Sequence, residues 1–199
     1  MKMRSMVSLA GLVVAGFAAV LPAGAADDKA LANMKGAVSF SRDGARTPKP
    51  VAVHATVTLA DKDYAITGAD SLAGVTLPDS SRVLVGSDSK VQLGFFNQAA
   101  GNNAKFIVFN GKVRFIVQHP AGAKANYTFQ TATANVGVRG TEGDVAVQSD
   151  GTLTVNVYEV CDSSTPVTVT TKDGARYELN PGQSLVAQMV NGVIRAHVE

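Results

Sequence analysis

The sequence predicts an all-β fold, an antiparallel sandwich or jelly-roll-like β-roll built from successive hairpins behind an amino-terminal signal peptide. Three observations point there. Apolar and polar residues alternate with a period of two along most of the chain past Pro50, as in strands with one buried face. Asn110-Gly111, Asp150-Gly151, Asp173-Gly174 and Asn191-Gly192 each stand between two such runs. Asx-Gly pairs tolerate the positive φ of type I′ turns and are strong local hairpin signals. Helical periodicity is nearly absent after residue 50.

The chain opens with Lys2 and Arg4, an apolar run from Val7 to Val20, and Pro22 before Ala23-Gly24-Ala25. That order of charge, apolar core and small residues is a signal peptide over residues 1–25, with cleavage expected after Ala25 and the mature chain exported to the periplasm. The run is short for a membrane anchor, and no later stretch is apolar for long enough to span a bilayer. Losing Lys2 and Arg4 takes the formal charge of +2 to about zero, so the basic footprint of a nucleic-acid binder is missing. With 46% hydrophobic residues, the remainder suffices for one domain with its own core.

Residues 26–50 read as an amino-terminal segment and linker, with one weak helical turn at Ala30 to Met34 and turn chemistry at Asp43-Gly44 and Thr47 to Pro50. The β domain is expected over 51–199. Val51 to Leu59 alternates strictly and reads as one strand with His54 on the solvated face. Short strands are expected next at Tyr64 to Thr67, Gly74 to Leu77, Arg82 to Val85 and Lys90 to Phe96, punctuated by Pro78-Asp79-Ser80 and Gly86-Ser87-Asp88. The Asx-Gly pairs then join Lys105–Phe109 to Lys112–Val117, Asp144–Gln148 to Thr152–Tyr158, Val167–Thr171 to Ala175–Leu179, and Ser184–Val190 to Val193–Val198. Residues 118–127 read as a polar loop, a place where function commonly resides. The expected core is Val57, Leu59, Ile66, Leu77, Val83, Val91, Leu93, Phe106, Val108, Val113, Phe115, Val117, Phe129, Val136, Val138, Val145, Val155, Val157, Leu179 and Leu185.

Chemistry-bearing patterns are missing from the sequence. His54, His119 and His197 lie in separate segments without metal-ligand spacing, so no metal or cofactor is expected. Asp61-Lys62-Asp63 lacks the glycine and distal glutamate of a calcium loop and reads as a turn before a strand. No nucleophile elbow is present, and no catalytic residue is assigned. Cys161 is the sole cysteine and cannot staple its own chain; a small buried hydrophobe is the expected role, with an exposed thiol able to dimerise as the alternative. Phe95, Phe96, Phe106, Phe109 and Phe115 sit in strand patterns that favour core packing, though Phe95 and Phe96 point to opposite faces.

The stretch Phe129 to Val147 reads as strand, tight irregular turn, strand. Val136 and Val138 flank Gly137, and Arg139 stands before Gly140, Thr141 and Glu142. Glycines beside a bend supply positive φ or close backbone approach. The expected role of Arg139 is to pin the bend inside the core, with Glu142, Asp144 or backbone carbonyls as acceptors. The competing reading is that this bend touches a partner. Thr133 to Glu142, TANVGVRGTE, resembles the signature of the FecR domain, a module named after a regulator of ferric-citrate uptake. The resemblance spans about Val57 to Val186. Asp61 to Gly68 is similar to the family's "GD.I.TG" segment, Val75 to Val83 to its "L.LPDGS.V" with Ser80 in place of glycine, and Leu179 to Gln183 to its "L..GQ". Ala132 stands where the family usually carries proline.

The resemblance implies a non-enzymatic periplasmic sensing or protein-interaction module, in envelope signalling of the iron-uptake type. Its partner is then another envelope protein, and Val136, Gly137, Val138, Arg139, Gly140, Thr141 and Glu142 are the family motif and expected interaction residues. Regulators of that type carry a tryptophan-bearing cytoplasmic segment, whereas this chain contains no tryptophan, so the sensing or docking module is what the resemblance leaves. A glycan- or small-ligand-binding β-roll is the alternative function.

Overall fold

One strand, Asn103–Ile116, belongs to two sheets, and the rest of the molecule is arranged on either side of it. The structure, a computed structural model, describes residues 29–43, 45–99, 101–118, 125–160 and 166–199. The expected signal peptide, Cys161 and most of the expected 118–127 loop lie outside them. Before the shared strand, which is β9, come β1 (Lys29–Lys35), β2 (Val38–Ser41), β3 (Lys49–Val51), β4 (Thr56–Leu59), β5 (Tyr64–Thr67), β6 (Leu72–Thr76), β7 (Arg82–Val85) and β8 (Lys90–Asn97). After it come β10 (Asn126–Gln130), β11 (Ala134–Val138), β12 (Thr141–Val147), β13 (Leu153–Val160), β14 (Val167–Thr171), β15 (Arg176–Leu179), β16 (Ser184–Val190) and β17 (Val193–Val198).

The strands form two layers. The first runs β4-β1-β6-β7-β9-β12-β13-β16-β17. The second runs β3-β2-β5-β8-β9-β10-β11-β14-β15. The chain passes back and forth between them, which makes an all-β roll of successive antiparallel hairpins. One pair departs from the pattern: β9 and β10 are parallel, from Asn103↔Asn126 to Ile107↔Gln130.

Alternation in the sequence becomes the inside and outside of the roll. Leu153, Val155 and Val157 on β13 and Val167 and Val169 on β14 are buried in one core that also takes Phe106, Phe115 and Phe129. The Phe129 ring stacks on Phe106 of its own layer at 5.3 Å and on Phe115 of the other at 5.0 Å. Such aromatic pairs add about 0.5–1.5 kcal/mol beyond the area they bury. The expected core is buried except for Val57 and Ile66, which are half-buried; on β5 the inward positions are Ala65 and Thr67.

Four local readings are corrected by the structure. Ala30 to Met34 is not a helical turn but part of β1, paired to β4 and β6, with Leu31 fully buried and Asn33 beside it on the inward face. Val51 to Leu59 is not one strand. The chain changes layers at residues 52–55, where His54 takes φ 65° and donates its amide to Asn33 O at 2.8 Å, so β3 and β4 belong to different sheets. Asn110-Gly111 closes no hairpin: β9 runs straight through it, pairing with β8 up to Asn110 and with β12 from Gly111 onward. Gly111 has φ +86°, and a Cβ there would stand 2.0 Å from Ser89 Oγ and 2.6 Å from Ser89 Cα. Positive φ was the correct inference, but it serves a bend between sheets. Finally, Tyr127 is no loop residue; it is fully buried in β10.

The remaining Asx-Gly pairs do close hairpins. Gly151 N reaches Gln148 O at 2.9 Å, Gly174 N reaches Thr171 O at 3.0 Å, and Asn191 and Gly192 both have positive φ (51° and 79°) in the two-residue β16–β17 turn. Asp61-Lys62 is the expected turn ahead of β5.

Candidate functional site

The stretch from Val136 to Glu142 is where the chain leaves one layer for the other. β11 ends in the second layer at Val138, Arg139 and Gly140 make the corner, and β12 starts in the first layer at Thr141. Gly140 is buried with φ +100°, a conformation that side chains disfavour. Val136 and Val138 fill the core, and Thr141 is buried with its hydroxyl unpartnered among the described residues. Its carbonyl takes the amide of Val117 at 3.1 Å, which ties the corner to the end of β9.

Arg139 does not pin the bend from within. It is exposed and makes no ion pair or hydrogen bond among the described residues, because it continues the outward alternation of β11 past the last paired residue. Asn135, Gly137 and Arg139 therefore form one outward stripe. Thr128 and Thr168 stand opposite Gly137 on the neighbouring strands, and Gln130 and Thr170 stand opposite Asn135. Gly137 has ordinary strand φ, and a Cβ on it would meet nothing nearer than Thr168 O at 3.7 Å. The fold has no need of a glycine there. Bare backbone in a strand leaves room for a ligand or another backbone to approach closely.

The acidic residues expected to hold Arg139 serve other cations. Glu142 accepts from Arg114 through both Nε, at 2.9 Å, and Nη2. The Asp144 carboxylate is 1% exposed although it points to the outer side of the first layer, because its partners cover it. It accepts from Asn156 Nδ2 at 2.7 Å, from Lys112 Nζ at 2.8 Å and from the Tyr158 hydroxyl. The Arg114 guanidinium sits 4.9 Å from the centre of the Tyr158 ring. The hydrogen bond from Lys112 to Asp144 raises the lysine pKa above its ordinary value, and the bond from Tyr158 to the same carboxylate raises the phenol. Between these side chains lies Gly143, where a Cβ would stand 2.3 Å from Asn156 O and 2.6 Å from Phe115 Cζ. The register shift after Glu142 brings β12 this close to β13.

Sequence reasoning missed this polar cluster. Its members are outward residues of three strands, Lys112 and Arg114 on β9, Glu142 and Asp144 on β12, Asn156 and Tyr158 on β13, and they meet only once the register Arg114↔Asp144↔Asn156 is known. Alternation could have placed each one outward; nothing local names their neighbours. Among the described residues no group of three or more His, Cys, Asp or Glu side chains is placed to hold a metal ion. No described helix is long and apolar enough to cross a membrane.

A roll of paired layers with a glycine corner between them, and a motif strand bared on its outer side, defines a class of β modules. Residues 63–160 match the family described as FecR protein, so the chain carries a FecR domain over that span. The match takes in the corner and the polar cluster whole. Two crystal structures, each described as a candidate anti-sigma factor from Parabacteroides distasonis ATCC 8503, share the fold at TM-score 0.54. They are 20% and 19% identical over 67% of this chain, and this chain covers 58% of each of theirs. No curated protein sequence matches the chain significantly.

Proposed function

We propose that this protein is a non-enzymatic signalling module of the periplasm that docks another envelope protein through the outward stripe Asn135, Gly137 and Arg139. The FecR domain supports a signalling or regulatory role, and the likeness to candidate anti-sigma factors agrees with it. The observation that carries the docking surface is Gly137, a motif glycine with space for a side chain and no backbone demand for its absence. Flanking threonines and amides make that face flat and hydrogen-bonding, and Arg139 supplies an unpaired planar fork for a partner carboxylate. Sigma-factor contact is not part of the proposal; a module of this kind receives or relays a signal on the outer side of the inner membrane.

A photo-crosslinking amino acid placed at Gly137 or Arg139 tests this in cells. The expected result is one discrete adduct from a periplasmic fraction, absent when the probe sits at Thr154 on the opposite layer and reduced at least fivefold by Arg139→Glu with the probe at Asn135. Equal adducts from both layers would sink the reading.

A further inference from the structure

We infer a second site, independent of the docking stripe: a cavity on the outer side of the second layer that binds a small anionic sugar. It measures about 270 Å³ and is lined by Ser41, Arg46, Pro48, Tyr64, Ile66 and Lys90, with Ala45 at the rim. Small-molecule sites begin near about 300 Å³, so the space suits one monosaccharide rather than an oligomer. The wall is built by register. Ser41 lies opposite Tyr64 across β2 and β5, and Ile66 lies opposite Lys90 across β5 and β8.

Three features give the cavity its chemistry. The Lys90 ammonium has no carboxylate partner among the described residues; it rests over two rings, 5.1 Å from the centre of Tyr64 and 5.4 Å from that of Phe109. Phe109, expected in the core, is instead 46% exposed and packs against Tyr64 at 6.0 Å on the outer side of the sheet. Arg46, the second cation lining the space, has no ion pair among the described residues. Two cations without an acidic partner among the described residues thus line one cavity, and their local positive charge suits an anion. The aromatic wall adds an apolar surface for the C–H face of a sugar ring, and an ammonium held by rings stays free to donate to a carboxylate or phosphate. Contacts hold the described residues of the rim in place. Ser41 donates to Ala45 O at 3.1 Å, and Arg42 pairs with the buried Asp63 while stacking 5.0 Å from the Phe40 ring.

The ligand chemistry is therefore a hexose bearing one anionic group, whether carboxylate or phosphate. Titration of the full mature chain with glucuronate, glucose 6-phosphate and glucose, monitored by tyrosine fluorescence and by amide chemical shifts, tests it. The expected result is saturable binding of at least one of the two anionic sugars, shifts centred on residues 41–48, 64–66 and 90, and glucose at least tenfold weaker. Lys90→Gln alters an exposed side chain and is expected to weaken binding tenfold or more with Tm unchanged; Tyr64→Leu is expected to weaken binding likewise, with a lower Tm from the lost ring packing. Binding of glucuronate alone assigns the anion as a carboxylate, and of the phosphate alone as a phosphoryl group. No saturable response to either, an equal response to glucose, or unchanged affinity in Lys90→Gln overturns the site.

Discussion

The hydroxyl of Tyr127, at the start of β10, donates to Asp79 Oδ2 at 2.7 Å, joining β10 to the turn between β6 and β7. Tyr127 is fully buried, and burial first, with the Asp79 bond behind it, raises its pKa well above the ordinary tyrosine value of 10.0; a Ser81 hydrogen bond opposes the shift. A raised folded-state pKa means that the proton is held more tightly in the native state. The stabilisation is present in full below the unfolded pKa of about 10 and is lost as pH rises toward the folded value. Urea midpoints are thus expected to hold steady from neutral pH to about pH 9.5 and to fall steeply above about pH 10. Tyr127→Phe should cost roughly 1.5 kcal/mol at neutral pH and flatten the alkaline fall. A variant curve parallel to the wild type at every pH would place the titration elsewhere.

Gly111 is expected to be the glycine whose replacement costs most. Gly111→Ala brings a Cβ onto Ser89, whose hydroxyl also accepts the Lys112 amide at 3.0 Å, and imposes a side chain at φ +86°. Positive φ and a backbone clash together predict a loss of about 3 kcal/mol or more in chemical denaturation. Gly137→Ala, in contrast, should leave stability within about 0.5 kcal/mol, since that Cβ has space. Equal losses at the two positions would contradict the roles given to them.

These glycines show how far the sequence could be read. Period-two alternation located most strands, because a strand with one wet face writes its burial into its residues. Asp150-Gly151, Asp173-Gly174 and Asn191-Gly192 were legible as hairpins because both strands of each lie next to each other in sequence. Asn110-Gly111 carries the same letters, yet its strand is shared between two sheets, a fact that depends on β8 and β12 far along the chain. Local turn chemistry reports a positive φ but not the pairing of the strand beyond it. β1 escaped notice for a related reason: its lysines and asparagine resemble a loose terminus, and only pairing with β4 and β6 makes Leu31 a core residue. At the motif, the buried valines and the glycine corner were legible. The exposure of Arg139 was not, since it depends on the corner turning outward.

Ser80 occupies the position where the resembled family motif carries glycine, and it adopts φ 68°. Its amide reaches Leu77 O at 2.9 Å and the Leu77 amide reaches Ser81 O at 3.0 Å, so the β6–β7 turn holds Ser80 in that region. A left-handed conformation costs a side-chain residue about 1–2 kcal/mol, part of which glycine recovers and part of which it returns as unfolded-state entropy. Ser80→Gly is expected to stabilise by roughly 0.5–1 kcal/mol, seen as a Tm rise of about 1–4 °C. A lower Tm would mean that the serine hydroxyl contributes more than its backbone strain costs.

The Asp144 cluster gives the last prediction, and it separates structure from recognition. Asp144→Ala removes one acceptor and strands three donors, Lys112, Asn156 and Tyr158, on the outer side of the first layer. Breaking a fully buried pair costs about 3–5 kcal/mol, but Lys112 is more than half exposed and water can take over its charge, so roughly 2 kcal/mol is expected. Asp144→Asn keeps an acceptor for one donor and should cost about half as much. Both variants also remove the carboxylate that Tyr158 donates to, so its pKa should drop toward its ordinary value, most in Asp144→Ala, since the hydrogen bond to Asp144 is the largest cause of its elevation. Spectrophotometric titration of Tyr158 in the two variants would register that drop. Because the cluster and the Asn135–Gly137–Arg139 stripe lie on different layers, these variants should leave crosslinking from Gly137 intact once the protein is folded. Loss of the adduct at full folding would instead show that the partner reaches around the corner onto Arg114 and Tyr158.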